Sequence, residues 1–162
     1  MSYHPLTEKI KNLLMENNVW FETFEHEPVR TSEEASKLRT GYTLDQGAKT
    51  AVVRVKKSGE GKFFVMIVLQ GSTKFDKNKI KENFGLSDLR FATEEEVAKI
   101  TDRVLPGGIP PFGNLFGLQV YMDEGLVEQE KMVFNAGDKS FSIGMKTADY
   151  VDIVKPIMGD IV

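Results

Sequence analysis

The longest apolar run in the chain, Phe-Phe-Val-Met-Ile-Val-Leu at residues 63–69, restricts its fold more than any other feature. Seven residues are far short of the roughly 20 that a membrane helix needs. They suit a strand, in which successive side chains point to opposite faces. Both faces of this strand are apolar, so it calls for cover on both sides and a central place in a sheet. Residues 49–57 form a second candidate strand just before it, and the intervening Ser58-Gly-Glu-Gly61 reads as a hairpin turn.

The remaining segments supply the layers. Residues 5–18 place Leu6, Ile10, Leu13 and Leu14 near helical spacing. Residues 20–24 alternate large apolar and polar side chains as a strand does. Thr31, with Glu34 three positions on, forms a capping box that opens a second helix. A short basic helix is expected over 76–84, a brief strand over 89–92, and a helix from Thr93, boxed with Glu96, to about residue 100. A Pro/Gly-rich loop spans 103–117, strands are expected at 118–122, 131–135 and 140–145, and a last helix at 147–154. Helices and strands mix without regular βαβ alternation. That pattern implies an α+β fold with a mixed, mostly antiparallel β-sheet and surrounding helices. At 162 residues one domain, 1–162, is expected.

Composition removes several chemistries. There is no cysteine, hence no disulfide scaffold, thiolate nucleophile or thiolate metal ligand. His4 and His26 are the two histidines, and no H-E-x-x-H, G-x-S-x-G or Walker loop is present. No metal and no cofactor is expected. The N-terminus lacks an apolar run behind a basic start, so a cytoplasmic location is expected. A net charge of −3 argues against a broad nucleic-acid grip. The charge is uneven, however: residues 49–81 hold nine basic and two acidic side chains, a net of +7 that leaves −10 elsewhere. Such a stretch can attract phosphate, or it can simply be a solvated face.

Four places can carry chemistry. Lys49 shares strand parity with Ala51, Val53 and Val55, at the mouth of an apolar face. A lysine aimed there is costly unless it meets an anion or a pocket, the alternative being a strand-end lysine that reaches water. In the loop around Gly107, Gly108, Ile109, Pro110 and Pro111, the prolines stiffen the chain, while the N–H groups of residues 107–109 can meet a growing negative charge on an ester oxygen. The same composition also suits a rigid connection. His26, ahead of the helix start at Thr31, can contact a ribose or phosphate, or satisfy a turn. Asn135 and Gly137 read first as a hairpin turn signal, and Asp149 as a carboxylate favoured by the first turn of a helix.

Taken in order, these motifs form a set: His26-x-Pro28, Thr31-Ser-Glu-Glu-Ala35, Gly47-Ala-Lys49, Lys74-x-Asp76, Phe91-Ala-Thr-Glu-Glu-Glu-Val97, Gly107-Gly-Ile-Pro-Pro-Phe-Gly113 and Phe134-Asn-Ala-Gly137. The set resembles the YbaK/EbsC family, the prolyl-tRNA-synthetase-associated or editing domain. The resemblance implies an aminoacyl-tRNA deacylase that hydrolyses the ester of a mischarged tRNA. It makes Lys49 the key active-site residue, binding the terminal phosphate or ribose, and the loop from Gly107 to Pro111 the part that positions the ester through backbone groups. Catalytic candidates are therefore Lys49, Gly107, Gly108 and Pro111, and substrate-binding candidates are His26, Thr31, Ile109, Pro110, Asn135, Gly137 and Asp149. The implied partners are the tRNA acceptor end and an aminoacyl-tRNA synthetase, not DNA or a membrane. The chain departs from the family where Leu-Pro commonly follows the apolar strand, since here Leu69 is followed by Gln70 and Gly71. A non-catalytic module of the same fold that binds tRNA ends or nucleotides is the other reading.

Overall fold

The computed structural model describes residues 3–28 and 32–162. Helix α1 (Pro5–Glu16) leads to strand β1 (Phe21–Glu25) and helix α2 (Ser32–Leu38). The hairpin follows as β2 (Ala48–Lys57) and β3 (Gly61–Gln70), then α3 (Lys77–Phe84), β4 (Asp88–Phe91) and α4 (Glu94–Thr101). Strand β5 (Gln119–Asp123), the short helix α5 (Glu124–Val127), β6 (Lys131–Asp138), β7 (Phe141–Lys146), α6 (Thr147–Val154) and β8 (Ile157–Gly159) complete the chain.

The strands form two sheets, one ordered β1-β7-β6 and one ordered β4-β2-β3-β5-β8. All pairs are antiparallel except β3 with β5 and β5 with β8. This is the α+β arrangement with a mixed, mostly antiparallel sheet. The apolar β3 lies at the centre of the larger sheet, and its two faces serve two cores. Met66 and Val68 join α1, β5, β6, β7 and α6 in one core, with Leu14, Phe134 and Tyr150 at its centre. Val65, Ile67 and Leu69 join Ile80 and Phe84 of α3, with Tyr121, in the other. Because Ile67 is fully buried, truncating it to alanine costs about 2–5 kcal/mol.

Local signals set several boundaries. His4 caps α1 ahead of Pro5, which is suited to a first helical position. Asp76 accepts the N–H groups of Asn78 and Lys79 to start α3, and Gly85 ends it in the left-handed region. Thr93 and Glu96 form the anticipated reciprocal box at α4. The expected box at Thr31 lies outside the described residues.

Two expectations change. Residues 134–137 do not turn: they run within β6, where a register shift between Asn135 and Asp138 absorbs Gly137 at φ 93°. The chain reverses later, at Asp138–Phe141, with Asp138 accepting the N–H of Ser140. The loop expected over 103–117 also contains a 3-10 turn, Gly113–Phe116.

The α4 box yields a pH prediction. Glu96 also holds Arg90 through two bonds of 2.9 and 3.1 Å. The Arg90 guanidinium, helped by the Thr93 N–H, lowers the Glu96 pKa from 4.5 to about 2. A depressed carboxylate adds stability that is present above its unfolded value and lost as pH falls between about 4.5 and 2. Side-chain NMR titration is expected to find Glu96 near 2, rising toward 4.5 in Arg90→Gln. A Glu96 value near 4.5 in the native protein would remove this brace. The pair is partly open to solvent, which screens it, so the global effect is small.

Candidate active site at the start of strand β2

The two sheets meet where β2 begins. A 3-10 turn, Leu44–Gln46, capped by Thr43 and Gln46, delivers the chain to Gly47. Gly47 bridges to Val133 of β6, and its carbonyl accepts the Gly71 N–H at 2.6 Å. From there the register sets Lys49 opposite Leu69 and Thr50 opposite Val68. Leu69 belongs to the core under α3 and Val68 to the core between the sheets. Lys49 and Thr50 therefore face opposite sides of the sheet.

On the α3 side, Lys49 is half-buried in a cavity of about 420 Å³ lined with Ala51, Leu69, Lys74, Phe75, Lys77 and Phe91, with Thr50 at its edge. Its ammonium donates to the Gly71 carbonyl at 3.4 Å and to that of Thr73. No ion pair among the described residues includes it. Burial, then the charge on Lys74, lowers its pKa. A cation held only by neutral carbonyls, beside further lysines, is electrostatically ready for an anion.

On the opposite side lies the Pro/Gly loop, fixed through its carbonyls. The Gly107 oxygen accepts Nδ2 of Asn135 at 2.6 Å, and the Gly108 oxygen accepts the Gly137 N–H at 2.8 Å. The Ile109 oxygen accepts the Thr50 hydroxyl at 3.0 Å, and the Pro111 oxygen accepts the hydroxyl of Tyr150. Burial pushes the Tyr150 phenol up, so it remains a donor. A trans peptide sets its N–H opposite its carbonyl, so anchoring the Gly108 oxygen turns the Ile109 N–H away from β6. Neither that N–H nor the one on Gly107 has a hydrogen-bond acceptor among the described residues. The Gly108 N–H, expected to be free, is instead used within the loop, on the Leu105 carbonyl at 2.9 Å.

A buried polar cluster supports this loop. Arg39, only 5% exposed, donates from Nη2 to Oδ1 of Asn135 at 2.7 Å and from Nε to the Ser142 hydroxyl at 3.0 Å. Ser142 also donates to Oδ1 of Asn135. With two donors on its oxygen, Asn135 must turn its amide nitrogen to Gly107. His26 reaches the Ser142 oxygen through Nε2 at 2.7 Å and the Glu27 carbonyl through Nδ1 at 2.9 Å. A carbonyl only accepts, so Nδ1 carries a hydrogen. Burial lowers the Arg39 pKa to about 10, which leaves it cationic at neutral pH. No ion pair among the described residues involves it.

The structure thus gathers His26, Gly107, Gly108, Ile109, Asn135 and Gly137 into one neighbourhood. Lys49 is one residue away along β2, on the other face, and none of residues 107–111 lines its cavity. Asp149 lies half-buried in the first turn of α6, with no hydrogen bond to the other candidates. Thr31 lies outside the described residues. Arg39 and Ser142 were not anticipated: neither sits in a recognisable motif, and only tertiary packing buries them together. At Gly108, an added Cβ would lie 3.2 Å from the Asp138 backbone. Gly108→Val is therefore expected to lift the loop from β6 and lower activity at least tenfold, a loss of about 1.4 kcal/mol or more in transition-state binding, with a modest fall in melting temperature. Wild-type rates in that variant would count against a positioned loop.

A cation-bearing cavity and a loop with two unused backbone donors thus lie on opposite faces of β2, where the two sheets meet. The model of the aminoacyl-tRNA editing domain matches residues 26–153. The chain belongs to that family, and its enzyme class is hydrolysis of the ester of mischarged aminoacyl-tRNA. It is 33% identical over 150 residues, 92% of this chain and 88% of the relative, to the multifunctional Ser/Thr-tRNA deacylase ProXp-y of Escherichia coli K12. It is 27% identical over 146 residues, covering 88% and 86%, to the prolyl-tRNA editing protein ProX of Acetoanaerobium sticklandii. The crystal structure of a proposed trans-editing enzyme for prolyl-tRNA synthetase shares the fold, with a TM-score of 0.81 over 99% of this chain and 98% of that one at 22% identity. No helix among the described residues is long and apolar enough to cross a membrane.

Proposed function

We propose that the chain acts in trans as one editing domain, with Lys49 binding the terminal phosphate or ribose of a mischarged tRNA while the Gly107–Pro111 loop orients the ester. The supporting observation is the Lys49 ammonium, half-buried beside Lys74 with carbonyls as its partners. A phosphate would relieve that electrostatic cost. The Gly107 and Ile109 N–H groups are available for the ester oxygen as charge develops on it. A water molecule, aided by a ribose hydroxyl of the substrate, attacks the acyl carbon. The bond from that carbon to the ribose oxygen breaks, and the water proton passes to the departing oxygen. Lys49 holds and does not attack. His26, Asn135 and Gly137 keep the loop in place, and a cytoplasmic protein working beside a synthetase or on released tRNA would suit this reaction.

The test is a panel of seryl, threonyl, alanyl, cysteinyl and prolyl esters on cognate and non-cognate tRNAs. Seryl and threonyl esters head it because the E. coli relative carries those substrates in its name. Cleavage of at least one ester, lost in Lys49→Ala, is expected. An intact panel at high protein concentration would return the chain to the reading of a tRNA-end binding module.

A further inference from the structure

The cavity beside Lys49 extends away from the loop to an end that catalysis leaves unused. Phe91, the last residue of β4, is 51% exposed. Its ring is nevertheless held in place: Phe75 meets it edge-on at 4.9 Å, and the Lys77 ammonium lies 5.6 Å from its centroid. Lys74 lines the same space. Neither lysine enters an ion pair among the described residues. Of the carboxylates close in sequence, Asp76 caps α3 and Glu96 holds Arg90, while Glu94, in the first turn of α4, enters no ion pair among the described residues. A half-exposed aromatic ring, braced by Phe75 and overlaid by an ammonium that enters no ion pair among the described residues, complements a nucleotide, which presents a flat base and a phosphate together.

We propose that this end of the cavity binds the unpaired nucleotide preceding the terminal one of the tRNA, its base stacked on Phe91 and its phosphate between Lys74 and Lys77. The inference rests on the reading of Lys49 as the holder of the terminal phosphate or ribose. Thr50 makes the route continuous, because it borders the cavity and bonds the Ile109 carbonyl. Lys77 covers the ring in the free protein and is placed to move from ring to phosphate as a base arrives. Stacking tolerates any base, so the subsite reads a single strand and not a sequence.

The test uses two fluorescein-labelled, uncharged single-stranded RNA hexamers ending in CCA, one intact and one abasic at the penultimate position, with binding followed by anisotropy. Wild-type protein is expected to bind the abasic strand about tenfold more weakly. Phe91→Leu is expected to bind both strands equally, at the weaker level, and Phe91→Tyr to restore the discrimination, which a folding defect would not allow. Lys77→Ala is expected to reduce the slope of log affinity against log salt by about 0.7. Equal binding of the two strands by wild type, or an unchanged abasic penalty in Phe91→Leu, would overturn the proposal, as would a blunt duplex that competes as well as the hexamer. Cleavage that depends on Lys49 without the stacking signature removes the subsite and keeps the deacylase. The stacking signature without cleavage of any ester does the reverse.

Discussion

Lys49→Ala is expected to lower kcat/KM for the cleaved ester by at least 100-fold while leaving the melting temperature unchanged or slightly higher. The kinetic loss follows from removing a fixed cation in a partly dehydrated site, where one such group commonly contributes 10²–10³ in rate. The stability effect runs the other way because the native protein holds this ammonium at a cost. Burial and then Lys74 bring its pKa below 10.5, so the unfolded chain binds the proton more tightly. Stability from this group therefore rises as pH climbs through the folded value toward 10.5, and any advantage of the alanine variant shrinks at alkaline pH. Single-turnover deacylation and calorimetry at two pH values test both parts. Wild-type rates in Lys49→Ala would refute the assigned role, and a large drop in melting temperature would show the lysine to be structural.

The second large effect is expected at Asn135, where two substitutions should separate folding from positioning. Asn135→Leu strips partners from the Arg39 guanidinium, the Ser142 hydroxyl and the Gly107 carbonyl together. Leaving a buried donor or acceptor without its partner costs about 1–3 kcal/mol, and more for a charged group such as this guanidinium, so urea unfolding should detect the loss. Asn135→Asp sets a carboxylate beside the buried guanidinium and should stay near wild-type stability. It also replaces the amide N–H at the Gly107 oxygen with another oxygen, so the loop loses an anchor and activity is expected to fall at least tenfold. Full activity in the aspartate variant would detach Asn135 from the loop, and wild-type stability in the leucine variant would show the cluster to be energetically idle.

The parts of the fold visible in sequence were those encoded by neighbours. The two-faced apolar strand fixed the centre of the large sheet, and parity along 49–55 put Lys49 at the mouth of an apolar face, where the cavity lies. Thr93 and Glu96 announced α4 because both halves of its box are three residues apart. Helix α5 and strand β8 went unseen: at four and three residues they show no periodicity, and distant packing holds them. The division into two sheets was equally hidden, since β1 pairs with β7 across more than 100 residues. At the site, the motif positions were legible but their grouping was not. Asn135 reads locally as a turn residue, and only the burial of Arg39 and Ser142 beneath it makes it a support for the loop.

Placing Lys49 and Thr50 on opposite faces of one strand has a bearing on selectivity. A compact ester that touches only the ammonium or only the loop gains half of the contacts, since the two lie on opposite faces of the strand. A polymer terminus with a few free rotations can straddle the strand end, its backbone on one side and its acyl group on the other. Reach alone would then spare the many small esters of a living cell, with no need for a gate that closes against them.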